Sequence, residues 1–512
     1  MFDFGTRYDR SSFFTGFLEK FLPDNFKQET LEIEGYPHNQ NAYIQKAILL
    51  GQCKVNNGDK DIDLQIFEVH HTSTNDSRVG LSNEAFQLME KEHATRALII
   101  FIPRNSEQYR FSLLEIELKP VDNSSKIDKE PSNPRRYSFL LGKDTHVKTP
   151  QKFLIEFGSV KAQTRDGKKL TAWEDLKYRF SVEVLTEEFY NEIYDWYLWA
   201  SQTAKYPNGP VKDNKVGNDI EKWVSYENDK DKIKEHITRL IIRLMFVWFL
   251  KQKRNDKEEN LVPDIFFNRN ELKNYLTEFG MQNYYNSILQ NLFFATLNRP
   301  IEYEKDGQKY KRSFANAGGT KNNEHWGIKN LYRDDKNNSF FCDKEKIIDL
   351  FGKIPYLNGG LFECLDSVND KGEVFYRDGF SREESRRVEL PNYLFFGTPE
   401  EVNLKEYEYN KKDKKWVDKL RKVEGIINIL KKYNWTIDEN SPNDVDIALD
   451  PELLGNVFEK LLTSREATGA YYTPKEIVNY MVEQSLNSRS LKRSIVQRNP
   501  IENDKRGCNI LP

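Results

Sequence analysis

Cysteine, methionine and histidine are scarce in this chain: 4, 5 and 7 among 512 residues. The four cysteines, Cys53, Cys342, Cys364 and Cys508, stand far apart and offer no CxxC knuckle for a structural metal. That pattern fits reduced thiols in a cytoplasmic protein rather than a disulfide framework. Long apolar runs are missing as well. None approaches the roughly 20 residues that span a bilayer, and Met1 to Arg10 has no charged-then-apolar secretory pattern, so no membrane partner is expected. Glycine and proline, 26 and 19 residues, are too few for a collagen-like chain. An excess of charge is absent too: 77 basic against 80 acidic residues leave a net charge of −3. This balance is neutral on nucleic acid, because a local basic face can sit on a neutral protein. What the chain does have is aromatic material, 13% of its residues, enough for sizeable cores. Its length suggests about three domains at roughly 150 residues each.

The first 121 residues read as a mixed α/β domain. An amphipathic stretch from Ser12 to Leu22 precedes strand-like runs at Ala47 to Gln52 and Ile62 to Val69, separated by the turn Asn57-Gly58-Asp59. A helical segment, Leu81 to Glu92, is followed by strand candidates Ala97 to Ile102 and Tyr109 to Leu118. Residues 122–149 read as a linker, polar and without an apolar period at its start. Residues 150–445 read as a mainly helical connector with loop insertions. Ile237, Leu240, Ile241, Leu244, Met245, Trp248 and Phe249 form the stripe of a buried helix, and Ile301 to Asn338 is a loop or inserted hairpin. Trp416, Leu420, Val423, Ile426, Ile427 and Leu430 repeat the helical spacing, which puts Trp416 on a core-facing side. The stretch Asn403 to Lys432 carries ten lysines and arginines against five acids, interleaved with Tyr407, Tyr409 and Trp416. It reads either as a solvated helix face or as a surface for phosphate contact and base stacking.

Residues 446–512 carry the sharpest local pattern. Asp450 to Leu462 predicts a helix with Leu454, Val457, Phe458 and Leu461 on one side. Gly469 suits a chain reversal, Thr473 an N-cap and Pro474 the first helical position, and Glu476 closes a capping box. Tyr471 to Pro474 is then a loop delivered onto a helix start.

The string Glu459-x-x-Leu462 … Thr468-Gly469-Ala470-Tyr471-Tyr472-Thr473-Pro474 resembles the opening of the methyltransferase domain in gamma-class adenine-N6 DNA methyltransferases, among them the type IIG restriction–modification enzymes. Ile354-Pro355-Tyr356-Leu357-Asn358-Gly359-Gly360-Leu361-Phe362, Arg239 to Phe246 and Arg136 to Gly142 resemble further segments of that family, in the same order. The resemblance implies an α+β protein: a nuclease-like α/β domain, a helical connector and the start of a methyltransferase domain. It implies S-adenosylmethionine as methyl donor in the intact enzyme, held on one side by Tyr472, Thr473 and Pro474, and double-stranded DNA as partner. The Gly-rich cofactor loop and the N/DPP[YF] tetrad of the family occur nowhere in the chain. The expectation is therefore a polypeptide that stops short of the catalytic motifs, inactive as a methyltransferase alone, or one that partners a separately encoded methyltransferase half.

Family members commonly carry a PD-(D/E)xK nuclease at the front, in which two carboxylates bind Mg²⁺ and a lysine activates water. The candidates here are Asp61 or Asp63, with Glu68 and His70, in Ile62-Asp63-Leu64-Gln65-Ile66-Phe67-Glu68-Val69-His70-His71. Strand alternation places Glu68 and His70 on one side and His71 on the other. His70 stands where the lysine belongs, and Asp63 is closer to Glu68 than the usual hairpin separation. An active nuclease, a degenerate nuclease-like domain and an unrelated sheet domain all remain open, as does a non-catalytic DNA-binding or scaffold module.

Overall fold

The computed structural model describes residues 2–73, 78–118, 131–165, 167–205, 211–212, 230–255, 259–305, 307–314, 331–357, 360–368, 373–410, 415–436, 444–449 and 455. All but Gly455 lie in the first of two compact units, Met1–Leu454. The protein is α+β, and no described helix is long and apolar enough to cross a membrane.

A seven-stranded sheet organises the front of the chain. β1 (Lys27–Glu32), β2 (Ile44–Asn57) and β3 (Lys60–His71) run as an antiparallel meander. Gly58, at φ +74°, makes the turn between β2 and β3 that Asn57-Gly58-Asp59 predicts. A helix then crosses over to β4 (Arg96–Pro103), which lies parallel to β3. The helix is Arg78–Lys91 and is called α2, since α1 is the helical run over residues 10–21. β5 (Gln108–Leu118) and β6 (Pro131–Gly142) continue antiparallel. β4 is covered on both sides, so its sequence Arg-Ala-Leu-Ile-Ile-Phe-Ile-Pro is nearly uninterrupted apolar, and residues Ala97 to Phe101 are fully buried.

Each face of the sheet has its own helix. On one, Phe13, Phe17 and Phe21 of α1 pack edge-on against Phe111 with ring centroids 5.5–6.0 Å apart. On the other, Leu81, Ala85, Leu88 and Met89 of α2 bury against Phe67, Val69, Ile99, Phe101 and Leu114.

Two expectations change here. Residues 131–142, assigned to the linker 122–149, are β6, a full member of the sheet. Phe139 and Leu141 alternate inward on the α1 side, whereas Arg136 and Ser138 are buried on the other by hydrogen bonding, a mixed pattern that reads as polar in sequence. The strand Asp444–Asp446 then pairs parallel to β6, so residues at the far end of the connector complete the front sheet.

The helical part of the chain follows prediction more closely. α3 (Val182–Thr203) is capped by Ser181, and α4 (Lys230–Gln252) carries the expected stripe, with Ile237, Ile241, Leu244 and Met245 fully buried. Glu302–Lys305 and Gln308–Lys311 form the inserted hairpin. The stripe that begins at Trp416 is not one helix. It is split at Gly425 into a strand, Lys415–Val423, and a short helix, Ile426–Lys431. Gly425 lies so close to Phe395 that a Cβ there would stand 2.3 Å from its backbone, so the turn admits no side chain. Ile426, Ile427 and Leu430 are buried as the spacing requires.

Candidate functional site

Glu68 lies on the α1 side of β3 and is 1% exposed. An isolated carboxylate so deeply buried would be costly, and the chain supplies four contacts to it. Arg10, the first residue of α1, forks onto both oxygens, Nε to Oε2 at 2.7 Å and Nη2 to Oε1 at 2.6 Å. The Tyr8 hydroxyl donates to Oε2 at 2.7 Å, and His70 Nε2 lies 2.7 Å from Oε1. Burial alone would raise the Glu68 pKa, but the hydrogen bonds from Arg10, His70 and Tyr8 outweigh it and hold the carboxyl at about 2. The same burial, together with the Glu68 charge, pushes the Tyr8 phenol up. Asp9 caps α1 by accepting from the Ser12 amide at 2.9 Å, which fixes Tyr8 and Arg10 at the helix entrance where they face Glu68.

Of the nuclease candidates, the structure brings together Glu68 and His70 and leaves Asp63 apart. Asp63 sits five residues earlier on the same strand, exposed, on the opposite face and about 16 Å along it at the usual rise. Asp61 is exposed near the turn and accepts from the Asn56 side chain at 3.3 Å. Among the described residues no group of three or more His, Cys, Asp or Glu side chains could hold a metal ion. Mg²⁺, implied by the nuclease resemblance, does not fit this carboxylate: both oxygens are taken, one cation already neutralises it, and among the described residues no second carboxylate joins it in a metal-binding group. Sequence spacing could not reveal Tyr8 and Arg10, because the contacts join positions about sixty residues apart. Tyr472, Thr473 and Pro474 lie outside the described residues.

The second candidate surface is the hairpin of β7 (Glu400–Asn410) and β8 (Lys415–Val423). One side is anchored on α3: Lys419 pairs with Asp195 at 3.3 Å, and the Gln202 amide donates to the Leu404 carbonyl at 2.6 Å, while within the hairpin Lys419 also pairs with Glu406 at 3.6 Å. The other side is open, with Tyr407 71%, Trp416 68% and Leu420 48% exposed, next to exposed Lys422. Trp416, expected on a buried helix face, therefore points outward. In a strand the alternation has period two, so Trp416 shares its side with Asp418, Leu420 and Lys422 rather than with Val423. Tyr409 is the cross-strand partner of Trp416, and Tyr407 that of Asp418. This is a two-stranded ribbon whose free side carries the Tyr407 and Trp416 rings together with Asp418 and Lys422.

Together these observations define an α+β protein with a mixed sheet, an internally neutralised carboxylate on that sheet and a ribbon with exposed aromatic rings. The chain is 24% identical over 265 residues to a putative type II restriction enzyme and methyltransferase of Methanocaldococcus jannaschii. The matched stretch covers 51% of this chain and 15% of that protein. This is a distant, partial similarity to a restriction–modification protein. No protein-family model matches the chain, and no solved structure matches it either.

Proposed function

We propose that this chain works in DNA restriction–modification, as the part of an adenine-N6 DNA methyltransferase that precedes the methyl-transfer motifs and engages double-stranded DNA. The observation that carries the proposal is the similarity to the M. jannaschii protein over half of the chain. It is supported by the run of resembling segments from Arg136 to Pro474. In the complete system S-adenosylmethionine would donate the methyl group, and Tyr472, Thr473 and Pro474 would lie against its methionine end. The adenine would have to be flipped out of the stack, because its target nitrogen is otherwise inside the duplex. The DNA contact is assigned to the β7–β8 ribbon, whose exposed Trp416 and Tyr407 rings suit bases and whose Lys422 suits a phosphate.

The front domain is read as nuclease-like in ancestry and non-catalytic in function. The four hydrogen bonds on Glu68 favour this over a Mg²⁺-dependent nuclease acting alone. The test is plasmid cleavage by the chain and by Glu68→Ala, with and without Mg²⁺. No cleavage, or the same trace activity in both proteins, is expected. Mg²⁺-dependent cleavage lost in Glu68→Ala would sink the non-catalytic reading. For the wider proposal, titration of labelled duplex DNA by fluorescence anisotropy should give binding that weakens steeply with salt. Absence of any binding at low salt would overturn it.

A further inference from the structure

On the α2 side of the sheet, at the carboxyl ends of the parallel strands β3 and β4, lies a cavity of about 250 Å³. This is the end of an open α/β sheet where ligands collect, because loops diverge there and a crossover helix begins. Arg104, Arg110 and Arg136 line it with His71, Thr72 and Ser106, and among the described lining residues none is an aspartate or glutamate. Arg136 is 1% exposed, held from below by the Ser82 hydroxyl at 2.9 Å and by the Phe101 ring, whose centroid is 4.1 Å from the guanidinium carbon. His71 is 8% exposed and stands edge-on to Phe101, yet its buried Nδ1 meets no hydrogen-bond partner. A buried ring nitrogen without a partner is unusual and points to a missing one. Burial, then the charges of Arg136 and Arg110, push the His71 imidazole down to about 4. Leu81, from the first turn of α2, also borders the cavity, so the positive end of that helix dipole is near.

We propose that this cavity is a binding site for an oxyanion of the phosphate class, gripped by Arg104, Arg110 and Arg136, with His71 supplying a ring N–H. That the phosphate comes from a DNA strand rests on the proposed function; the site itself does not. It is separate from Glu68, which faces the opposite side of the sheet.

The test uses the 512-residue chain and inorganic phosphate at constant ionic strength, with chloride as control, read by thermal shift and by phosphorus NMR. A saturable stabilisation by phosphate and none by chloride is expected. Arg104→Glu changes an exposed residue and leaves the anion-free melt in place; it should weaken phosphate at least tenfold. His71→Phe, which keeps a ring and removes the nitrogens, should weaken it as well. Identical melting in phosphate and chloride, or unchanged phosphate binding in Arg104→Glu, overturns the site. Adding unlabelled duplex DNA separates the sources. Displacement of phosphate by the duplex supports a DNA phosphate as the natural occupant. Duplex that binds without displacing phosphate overturns that source and leaves a site for a free phosphate or phosphate ester. If no duplex binds at all, the proposed function fails while the anion site stands on its own titration.

Discussion

The Arg10–Glu68 contact is a buried carboxylate with a half-exposed partner, and this asymmetry decides what substitutions do. Removing the guanidinium leaves a charge at 1% exposure without its counter-ion. Arg10→Met should therefore destabilise the fold by about 3 kcal/mol, as breaking such pairs does. Replacing both residues with Met should recover much of that loss, and urea denaturation of the two single variants and the double one gives the coupling energy. A single variant within about 0.5 kcal/mol of the parent would mean that the contact is incidental. The pH dependence has a definite sign. The folded pKa of Glu68 is depressed from 4.5 to about 2. Its contribution is full above the unfolded value and is lost as pH falls from about 4.5 towards 2, a stake of about 3 kcal/mol. Glu68→Gln should flatten the acid limb of a stability–pH curve in that window; an unchanged limb would assign acid unfolding elsewhere. Glu68 and His70 were legible as a pair from their spacing of two on a strand. That the pair is a structural anchor was not legible, because the cation that neutralises it arrives from α1.

At the scale of elements, strong local periodicity carried the prediction well and mixed periodicity did not. β4, α2 and α4 appear where their apolar patterns put them, since each buries one uniform set of side chains. β6 reads as linker in the sequence because Arg136 and Ser138 are satisfied by partners from Ser82 and Ser112, distant in sequence. In sequence the β7–β8 ribbon reads as helix because Trp416, Leu420 and Val423 stand at helical spacing, and only Gly425 marks the break between the strand and the short helix. Its correction matters for function, since it turns Trp416 outward. Trp416→Ala and Tyr407→Ala should each weaken duplex or single-stranded DNA binding about tenfold, within the range of one lost base stack. They should leave the melting temperature nearly unchanged, because both rings are mostly exposed. Anisotropy titration with parallel thermal melts checks both statements, and equal DNA affinity in the variants would remove the ribbon from the interface.

At the scale of the whole molecule, the front sheet is not a domain that ends near residue 121. β6 covers the outer edge of β5 over most of its length, and its Phe139 and Leu141 are fully buried. A fragment of residues 1–121 should therefore fail to melt cooperatively, whereas the full chain should show a cooperative transition by circular dichroism. A sharp transition in the short fragment would restore the earlier boundary. The four-part division was readable only where composition changes, and composition says nothing about a strand that returns from far away.

That returning strand, Asp444–Asp446 beside β6, also has a consequence during synthesis. β6 ends at Gly142, so the ribosome must add about 300 residues, some 15 to 60 seconds of translation, before the partner for its outer edge emerges. Through that interval the nascent chain presents an unpaired row of amides and carbonyls, a template for joining another copy. Slower elongation lengthens that exposure.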